Sequence, residues 1–244
     1  MRIRPLLTVL GLCLLAACGG GGGNSGSAQG IWSGTYTNDP SVGPIPLHGI
    51  IQDGGMAIFY DDTGLSSVIT GFSGTDFSGP GTLYPATGFI FTGNNLTLPL
   101  TTKVTVSNGN MTGALTLEGA AAPMNLKPVT QFDGTASVMA GVWSGQYFGS
   151  QGVSINVAAD GSIDGSDAFG CHLTGSVKVI DAAKDLFSLV VTGSGASFCV
   201  HHYKGLAFES TTDQLGIDGK AAGTYYYLAA YDSTAAFLAE VKVQ

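Results

Sequence analysis

The chain reads Gly30-Ile31-Trp32-Ser33-Gly34-Thr35-Tyr36 near its start and Gly141-Val142-Trp143-Ser144-Gly145-Gln146-Tyr147 further on, 111 positions later. A motif repeated at this distance indicates an internal duplication. Each copy is predicted to open a structural unit, one over residues 30–140 and one over residues 141–244. Units of this length are small domains, because solenoid repeats are much shorter.

The rest of the sequence favours an all-β fold. Short runs of alternating apolar and polar residues recur between Gly, Asn and Asp, and long helical periodicity is absent. Asn108-Gly109 and Asp160-Gly161 are typical of tight hairpin turns, because both pairs readily adopt positive φ angles. We therefore expect two tandem antiparallel units, each a β-barrel or a β-sandwich, placed after a lipoprotein signal peptide.

The last predicted strand, 235–243, has a one-sided pattern. Its apolar face carries Phe237, Ala239, Val241 and Val243, and Glu240 and Lys242 are expected to face water. Such a strand could close a sheet and so remove an exposed edge. A further strand is predicted over 197–203.

The N-terminus carries an export signal. Arg2 and Arg4 precede an apolar run, residues 6–17, that is too short to span a bilayer as a helix. The run ends in Leu15-Ala16-Ala17-Cys18, which resembles the lipobox of bacterial lipoproteins. This resemblance implies a signal peptide over 1–17 and acylation of Cys18, with palmitate among the acyl chains. Stable anchoring needs two or more chains. The alternative is an ordinary secretory signal that leaves Cys18 free.

Residues 18–29 are expected to form a flexible Gly/Ser tether after the lipidated cysteine. Its root-mean-square span would be roughly 15–20 Å. Gly19 stands where the bacterial sorting rule would place Asp to retain a lipoprotein in the inner membrane, so the cell outer membrane is the expected location. The chain could face the periplasm or the cell surface.

The charge of the mature chain excludes one class of partner. Residues 1–17 contain both arginines, so their removal leaves 7 basic against 17 acidic residues and a net charge of −10. Nucleic acids and other polyanions bind proteins largely through Lys and Arg. The expected partners are the membrane, through the lipid anchor, and an unidentified protein or small apolar ligand.

Cys171 and Cys199 are the only cysteines after Cys18. In an exported protein such a pair predicts a disulfide bond. A zinc site is the alternative, because His172 adjoins Cys171 and two further histidines, His201 and His202, follow Cys199. Adjacent strand residues point to opposite faces, which disfavours joint coordination by Cys171 and His172.

No pattern predicts catalysis or a cofactor. The sequence contains no Gly-x-Ser-x-Gly motif, although a triad assembled in space stays open. Asp160, Asp164 and Asp167 are more simply explained by hairpin turns than by a calcium loop, because the EF-hand spacing is absent. No catalytic residue, metal ligand or cofactor is therefore assigned.

Aromatic residues supply the candidate contacts with a ligand or partner. The run Tyr225-Tyr226-Tyr227 could line a cavity or face a partner, or could simply belong to an ordinary strand. Trp32, Trp143, Tyr225 and Tyr227 are the predicted contact residues.

Two resemblances bear on function. The Gly-x-Trp opening of each unit resembles that of lipocalin-like barrels, in which the Trp plugs one end of the barrel. The second unit, from Ala136 through Asp160-Gly161 and Cys171 to Cys199, resembles duplicated envelope lipoproteins of Gram-negative bacteria that have no assigned activity. We expect a non-catalytic binding module at the cell envelope. The alternatives are a carrier of a small apolar ligand and an envelope hydrolase.

Overall fold

The structure is a computed structural model that describes residues 27–85, 96–130, 137–138, 140–147, 152–210 and 224–244. These residues form sixteen β-strands and two short 3-10 turns, Ala182–Lys184 and Ser197–Cys199. Among them, no helix is long and apolar enough to cross a membrane. Cys18, the signal peptide and most of the tether lie outside the described residues.

The first eight strands close into barrel 1. They are β1 Gly30–Tyr36, β2 Ile45–Ile51, β3 Gly55–Tyr60, β4 Ser66–Phe72, β5 Asp76–Tyr84, β6 Leu98–Ser107, β7 Asn110–Leu117 and β8 Ala120–Pro128. Each strand pairs antiparallel with the next, and β1 pairs with β8 to close the sheet.

The remaining eight strands close into barrel 2 in the same order. They are β9 Gly141–Tyr147, β10 Gly152–Val157, β11 Ser162–Asp167, β12 His172–Asp181, β13 Leu186–Ser194, β14 His201–Ser210, β15 Tyr225–Tyr231 and β16 Ala236–Val243. β16 pairs with β9. The predicted all-β fold of two tandem antiparallel units is confirmed, and both units are closed barrels rather than sandwiches.

The repeated motif has a structural role in each barrel. Its tryptophans, Trp32 and Trp143, are buried in the barrel interiors. The glycine two residues later lies where the closing strand crosses: a Cβ on Gly145 would lie 1.8 Å from the Glu240 carbonyl oxygen, and a Cβ on Gly34 would lie 2.1 Å from that of Asn125. The motif therefore places an indole ring in the barrel interior and allows the closing strand to approach closely.

Each barrel has two distinct ends, since its strands run up and down. At the tryptophan end the chain enters the first strand, and in barrel 1 Trp32 Nε1 donates to the Ala28 carbonyl at 2.8 Å. At the opposite end, which we call the mouth, the first strand finishes with Tyr36 or Tyr147. The connections after the odd-numbered strands all lie at the mouths.

The two barrels pack side by side with both mouths at the same end. Tyr84, at the mouth end of β5, donates its hydroxyl to the Asp232 carbonyl at 2.7 Å. At the tryptophan ends, Gln29 Nε2 donates to Asp181 Oδ2 at 2.8 Å, and Lys184 Nζ donates to the Gln29 carbonyl at 2.7 Å.

An inter-barrel core lies between the two outer walls. Apolar side chains that point out of both barrels form it: Ile31, Ile50, Ile58, Tyr60, Val68 and Tyr84 from barrel 1, and Leu186, Leu206, Phe208, Tyr225, Tyr227, Ala229 and Leu238 from barrel 2. All are buried. Burial of apolar wall on this scale is expected to couple the folding of the two barrels.

Glu240 corrects one prediction. Its side chain was expected to face water, but it is only 5% exposed. Burial, Asp62 and Glu240 together raise the pKa of Tyr60, a barrel 1 residue, which places Glu240 near the other barrel. The alternation of β16 was predicted correctly. The error was to assume that its outer face meets solvent.

The strand predicted over 197–203 is also wrong in its first half. Ser197–Cys199 forms a 3-10 turn in which the Cys199 N–H donates to the Ala196 carbonyl at 2.8 Å, and β14 begins at His201. Cys199 is held in this turn by its bond to Cys171.

Candidate functional site

A tyrosine–aspartate pair lies at the mouth of each barrel. Tyr36 donates its hydroxyl to Asp61 Oδ2 at 2.9 Å, and Tyr147 donates to Asp167 Oδ2 at 3.2 Å. Each tyrosine is the last residue of the repeated motif, and each aspartate ends or follows the third strand of its barrel. The duplication therefore extends to the polar contacts of the mouths.

The two aspartates organise the same five-residue turn. Asp61 Oδ1 accepts the N–H groups of Thr63 and Leu65 at 2.9 and 3.1 Å. Asp167 Oδ1 accepts those of Phe169 and Cys171, both at 2.9 Å. The fourth residue is a glycine in the left-handed region, with φ of 84° at position 64 and 81° at position 170.

This second repeat was missed at the sequence level. Asp61-x-x-Gly64 and Asp167-x-x-Gly170 lie 106 positions apart, whereas the tryptophan motifs lie 111 apart. The loops between them differ in length, so a search at one fixed offset does not find it. The signal that could have found it is the Asp-x-x-Gly spacing, which suits an aspartate-capped turn.

The mouth of barrel 1 opens into an apolar cavity of about 380 Å³. Leucine and alanine dominate its lining: Leu47, Leu65, Leu83, Leu100, Leu115, Leu117, Ala120, Ala121 and Ala122, with Phe59 and Tyr36. The described lining includes two carboxylates, Asp61 and Glu118, and no Lys, Arg or His. A concave site of this size with few polar groups is typical of small-molecule binding.

Tyr36 is uncharged at the edge of this cavity. Burial, followed by the charge of Asp61 and its hydrogen bond to that carboxylate, raises the pKa of Tyr36. The phenol therefore stays protonated and donates a hydrogen bond to Asp61. The cavity therefore presents a neutral phenol, two carboxylates and mainly aliphatic walls.

The mouth of barrel 2 is smaller and aromatic. Its cavity of about 190 Å³ is lined by Tyr147, Phe169, Phe198, Tyr203, Phe237 and His201, together with Asp167, Leu173, Gly193, Ala236 and the two cysteines. The rings are packed against one another: Tyr147 meets the ring of Phe237 edge-on at a centroid distance of 5.0 Å, and His201 stacks on Tyr203, also at 5.0 Å. The two mouths therefore differ in chemistry despite their common frame.

The disulfide predicted between Cys171 and Cys199 is confirmed. It joins the turn after β11 to the connection between β13 and β14, and both cysteines are buried. The bond occupies both thiols, so these cysteines cannot serve as zinc ligands while it is intact. The disulfide holds two of the loops that surround the barrel 2 mouth.

The histidines that follow Cys199 point in different directions. His201 Nδ1 lies 2.6 Å from Asp232 Oδ2 at the mouth, whereas His202 is exposed, with its Nδ1 3.4 Å from Thr192 Oγ1. His172 pairs with Asp164 at 2.7 Å on the exposed surface. The described lining of the barrel 2 cavity contains no Ser, no Thr and no free Cys, and its hydroxyl groups are the phenols of Tyr147 and Tyr203.

A Ser-His-Asp arrangement occurs on the wall of barrel 1. Ser33 Oγ lies 3.3 Å from His48 Nδ1, and His48 Nε2 lies 3.4 Å from Asp62 Oδ1. The cavity beside Ser33 and His48 has a volume of only about 10 Å³ and is bounded by Phe208 of barrel 2. A substrate needs room beside the nucleophile, so this arrangement is better explained as a buried polar contact.

The predicted aromatic contact residues are all buried away from the mouth cavities. Trp32 and Trp143 lie in the barrel interiors, where Trp143 stacks on Tyr226 at a ring-centroid distance of 3.9 Å. Tyr225 and Tyr227 belong to the inter-barrel core. Their partners in the described structure are thus other parts of the same chain.

The aspartates weighed as a calcium loop are not gathered around one point. Asp160 accepts the Ser162 N–H at 2.9 Å in a turn, Asp164 pairs with His172, and Asp167 caps its own turn. No group of three or more His, Cys, Asp or Glu side chains among the described residues is placed to hold a metal ion.

Exposed apolar side chains concentrate at the mouth end. Of the eight large exposed apolar residues in the described part of the chain, five lie in loops at this end: Val42, Leu96, Phe169, Phe198 and Val200. The other three lie on strands. Clusters of this kind mark interaction sites more often than scattered single residues do.

Comparisons with known proteins give no relative: no family model, no curated protein and no solved structure matches this chain.

Proposed function

We propose that this protein is a non-catalytic, lipid-anchored binding protein of the outer membrane that takes up a small, neutral, apolar ligand in the mouth of barrel 1. The single observation that carries the proposal is the aliphatic cavity of about 380 Å³ at that mouth. Barrels of eight strands commonly hold one small ligand in this position.

The charge of the lining disfavours anionic ligands. Asp61 and Glu118 are the only charged residues in the described lining, and both are acidic. They would repel the carboxylate of a fatty acid, because like charges disfavour each other in a partly dehydrated site. A long-chain alcohol or another neutral amphiphile places the same apolar body in the cavity without this repulsion.

The position of the tether supports an anchored receptor. Residues 27–29 lead into β1 at the tryptophan end, and Gln29 is fixed there by Asp181 and Lys184. The expected lipid on Cys18 is therefore connected to the end of the molecule opposite the mouths. Insertion of this lipid into the membrane would therefore leave the binding cavity accessible.

The test is competition for a fluorescent apolar probe, N-phenyl-1-naphthylamine, on soluble protein comprising residues 19–244. We expect decanol to displace the probe at a concentration at least about tenfold lower than decanoate does, and Leu115→Gln to weaken probe binding. Val190→Gln, on the exposed wall of barrel 2, is the matched control and should have no effect. Equal displacement by decanoate, or no probe binding at all, would refute the proposal.

A hydrolase, the other function considered, is supported by the Ser33–His48–Asp62 distances. The volume of about 10 Å³ beside them argues against it. The described linings of the two mouth cavities do not pair a serine or a free cysteine with a histidine, as such chemistry requires.

A further inference from the structure

The mouth of barrel 2 is a second candidate site, separate from the one proposed in barrel 1. Two observations motivate this. Its cavity has an aromatic lining where that of barrel 1 is aliphatic, and two of its rings are left exposed: Phe169 is 50% exposed and Phe198 is 61% exposed. Exposed apolar side chains that gather around a cavity mark binding sites more often than scattered ones do.

The rings enclose the cavity from several sides. Tyr147 and Tyr203 both pack on Phe237, at centroid distances of 5.0 and 5.6 Å, and His201 stacks on Tyr203. Phe169 and Phe198 come from the two loops that the Cys171–Cys199 bond joins. The disulfide therefore joins the two loops that carry the exposed rings.

The electrostatics of the enclosure are negative. Asp167 lies in the lining, which contains no Lys or Arg among the described residues; His201, also in the lining, is paired with Asp232 at 2.6 Å. Burial raises the pKa of Tyr203, and the charges of Asp232 and Asp167 raise it further. Both carboxylates thus act on the interior of this mouth. The faces of aromatic rings also carry negative potential, which attracts cations.

We propose that the barrel 2 mouth binds a small organic cation, a quaternary ammonium group, between Tyr147, Tyr203 and Phe198 with Asp167 as the counter-charge. Aromatic enclosures with one carboxylate suit this class because the rings stabilise a weakly hydrated cation and still exclude water. A volume of about 190 Å³ admits a head group of this kind and excludes a large ligand.

Two ligands of the same shape but different charge give the direct test. The probes are choline and 3,3-dimethylbutan-1-ol, its neutral isostere, titrated calorimetrically into the full-length protein in dodecyl maltoside. We expect choline to bind at least about tenfold more tightly than the isostere. Equal affinities, or no detectable choline binding at millimolar concentrations, would overturn the proposal.

Three variants locate the site. Asp167→Asn keeps the oxygen that accepts the Phe169 and Cys171 N–H groups and removes the charge, and Phe198→Leu removes an exposed ring without altering the core. Each should weaken choline binding about tenfold. The matched control is Asp160→Asn, which removes a charge from an exposed aspartate-capped turn of barrel 2 outside the cavity and should leave choline binding unchanged. Choline binding that survives both Asp167→Asn and Phe198→Leu would also overturn the proposal.

The outcome is independent of the barrel 1 site. The competition between decanol and decanoate reports on a different cavity and a different lining. A negative result for one cavity does not affect the proposal for the other, so the two proposals can fail separately.

Discussion

At the residue scale, the second glycine of the repeated motif explains why a short sequence recurs so closely. Gly34 and Gly145 both sit where the closing strand passes within contact distance of the backbone. The neighbouring tryptophan fills the interior, and the final tyrosine reaches the aspartate at the mouth. Three separate structural requirements thus fall within one strand, and together they limit how far this strand can vary.

Gly145→Ala tests the requirement for close approach. The new Cβ would lie 1.8 Å from the Glu240 carbonyl oxygen, so the closing strand must shift. Overpacking of this kind typically costs about 1–3 kcal/mol of unfolding free energy. Gly152→Ala is the control, because its nearest neighbour would be 4.0 Å away. Urea denaturation measures both variants, and equal stability would show that the strand pair is looser than the structure indicates.

Ser33→Ala tests whether the Ser-His-Asp arrangement acts as a catalyst. We expect hydrolysis of 4-nitrophenyl butyrate by the wild-type protein to match that of Ser33→Ala and of His48→Gln, because no substrate-sized space adjoins Ser33. The readout is the initial rate above a protein-free blank. Wild-type turnover that Ser33→Ala reduces a hundredfold would establish a hydrolase.

At the scale of elements, the barrel 2 mouth combines strand residues with two loops that are joined covalently. The disulfide ties the turn after β11 to the connection after β13 and closes a loop of 28 positions. In barrel 1 the residue equivalent to Cys171 is Leu65. Both residues line the mouth cavity of their barrel, and in barrel 2 this position is also bonded to Cys199.

Replacing both cysteines by serine should lower the unfolding free energy by about 3.5 kcal/mol, on the chain-entropy estimate for a loop of this length. The measurement is urea denaturation of Cys171→Ser/Cys199→Ser under the same conditions as the wild type. Dithiothreitol should destabilise the wild type by a similar amount and leave the double variant unchanged. An effect of dithiothreitol on the double variant would mean that the reductant acts elsewhere.

Sequence patterns predicted the elements far better than their surroundings. The alternation in β16 and the Asn108-Gly109 turn are local properties, so they were readable from neighbouring residues. The burial of Glu240 was not readable, because it depends on a wall from the other barrel. The mouth sites were not predicted for a related reason. Tyr147, Asp167 and Tyr203 come from three strands and come together only when the barrel closes.

At the scale of the whole molecule, the inter-barrel core determines how the protein unfolds. Its residues come from outer strand faces that would carry polar side chains in an isolated barrel. Either barrel alone would present this apolar wall to water. We therefore expect a single unfolding transition for the two barrels.

Ile58→Asp places a charge in this core, where the native side chain is 1% exposed. An unpaired buried charge costs several kcal/mol, so the barrels should separate or unfold. Increased binding of 1-anilinonaphthalene-8-sulfonate and faster hydrogen exchange in β14 would report the exposed walls. Val190→Asp, on a wall position that is 40% exposed, serves as control. Two separate transitions in the wild type would contradict a shared core.

His48 makes this interface sensitive to acid. Burial lowers the pKa of His48, and the charges of Asp62 and Asp61 only partly oppose the shift. The unfolded chain therefore binds this proton more readily, so stability should be full above about pH 6.5 and should decrease as the pH falls toward the folded-state pKa. His48→Gln should flatten the decline measured by urea unfolding between pH 7.5 and 5.5. His172→Gln, which alters an exposed histidine, should retain the wild-type decline.

The attachment of the tether at the tryptophan end also determines the protein's reach. Strands of seven residues such as β1 span about 23 Å, and the tether adds roughly 15–20 Å. With Cys18 acylated as proposed, both mouths would lie within a few tens of ångströms of the lipid surface. The two mouths would move together because the barrels share a core. The membrane then limits the distance at which the mouths can contact other molecules. Lengthening or shortening residues 19–26 would change that distance, whereas the affinity of each mouth for its ligand in solution would stay the same.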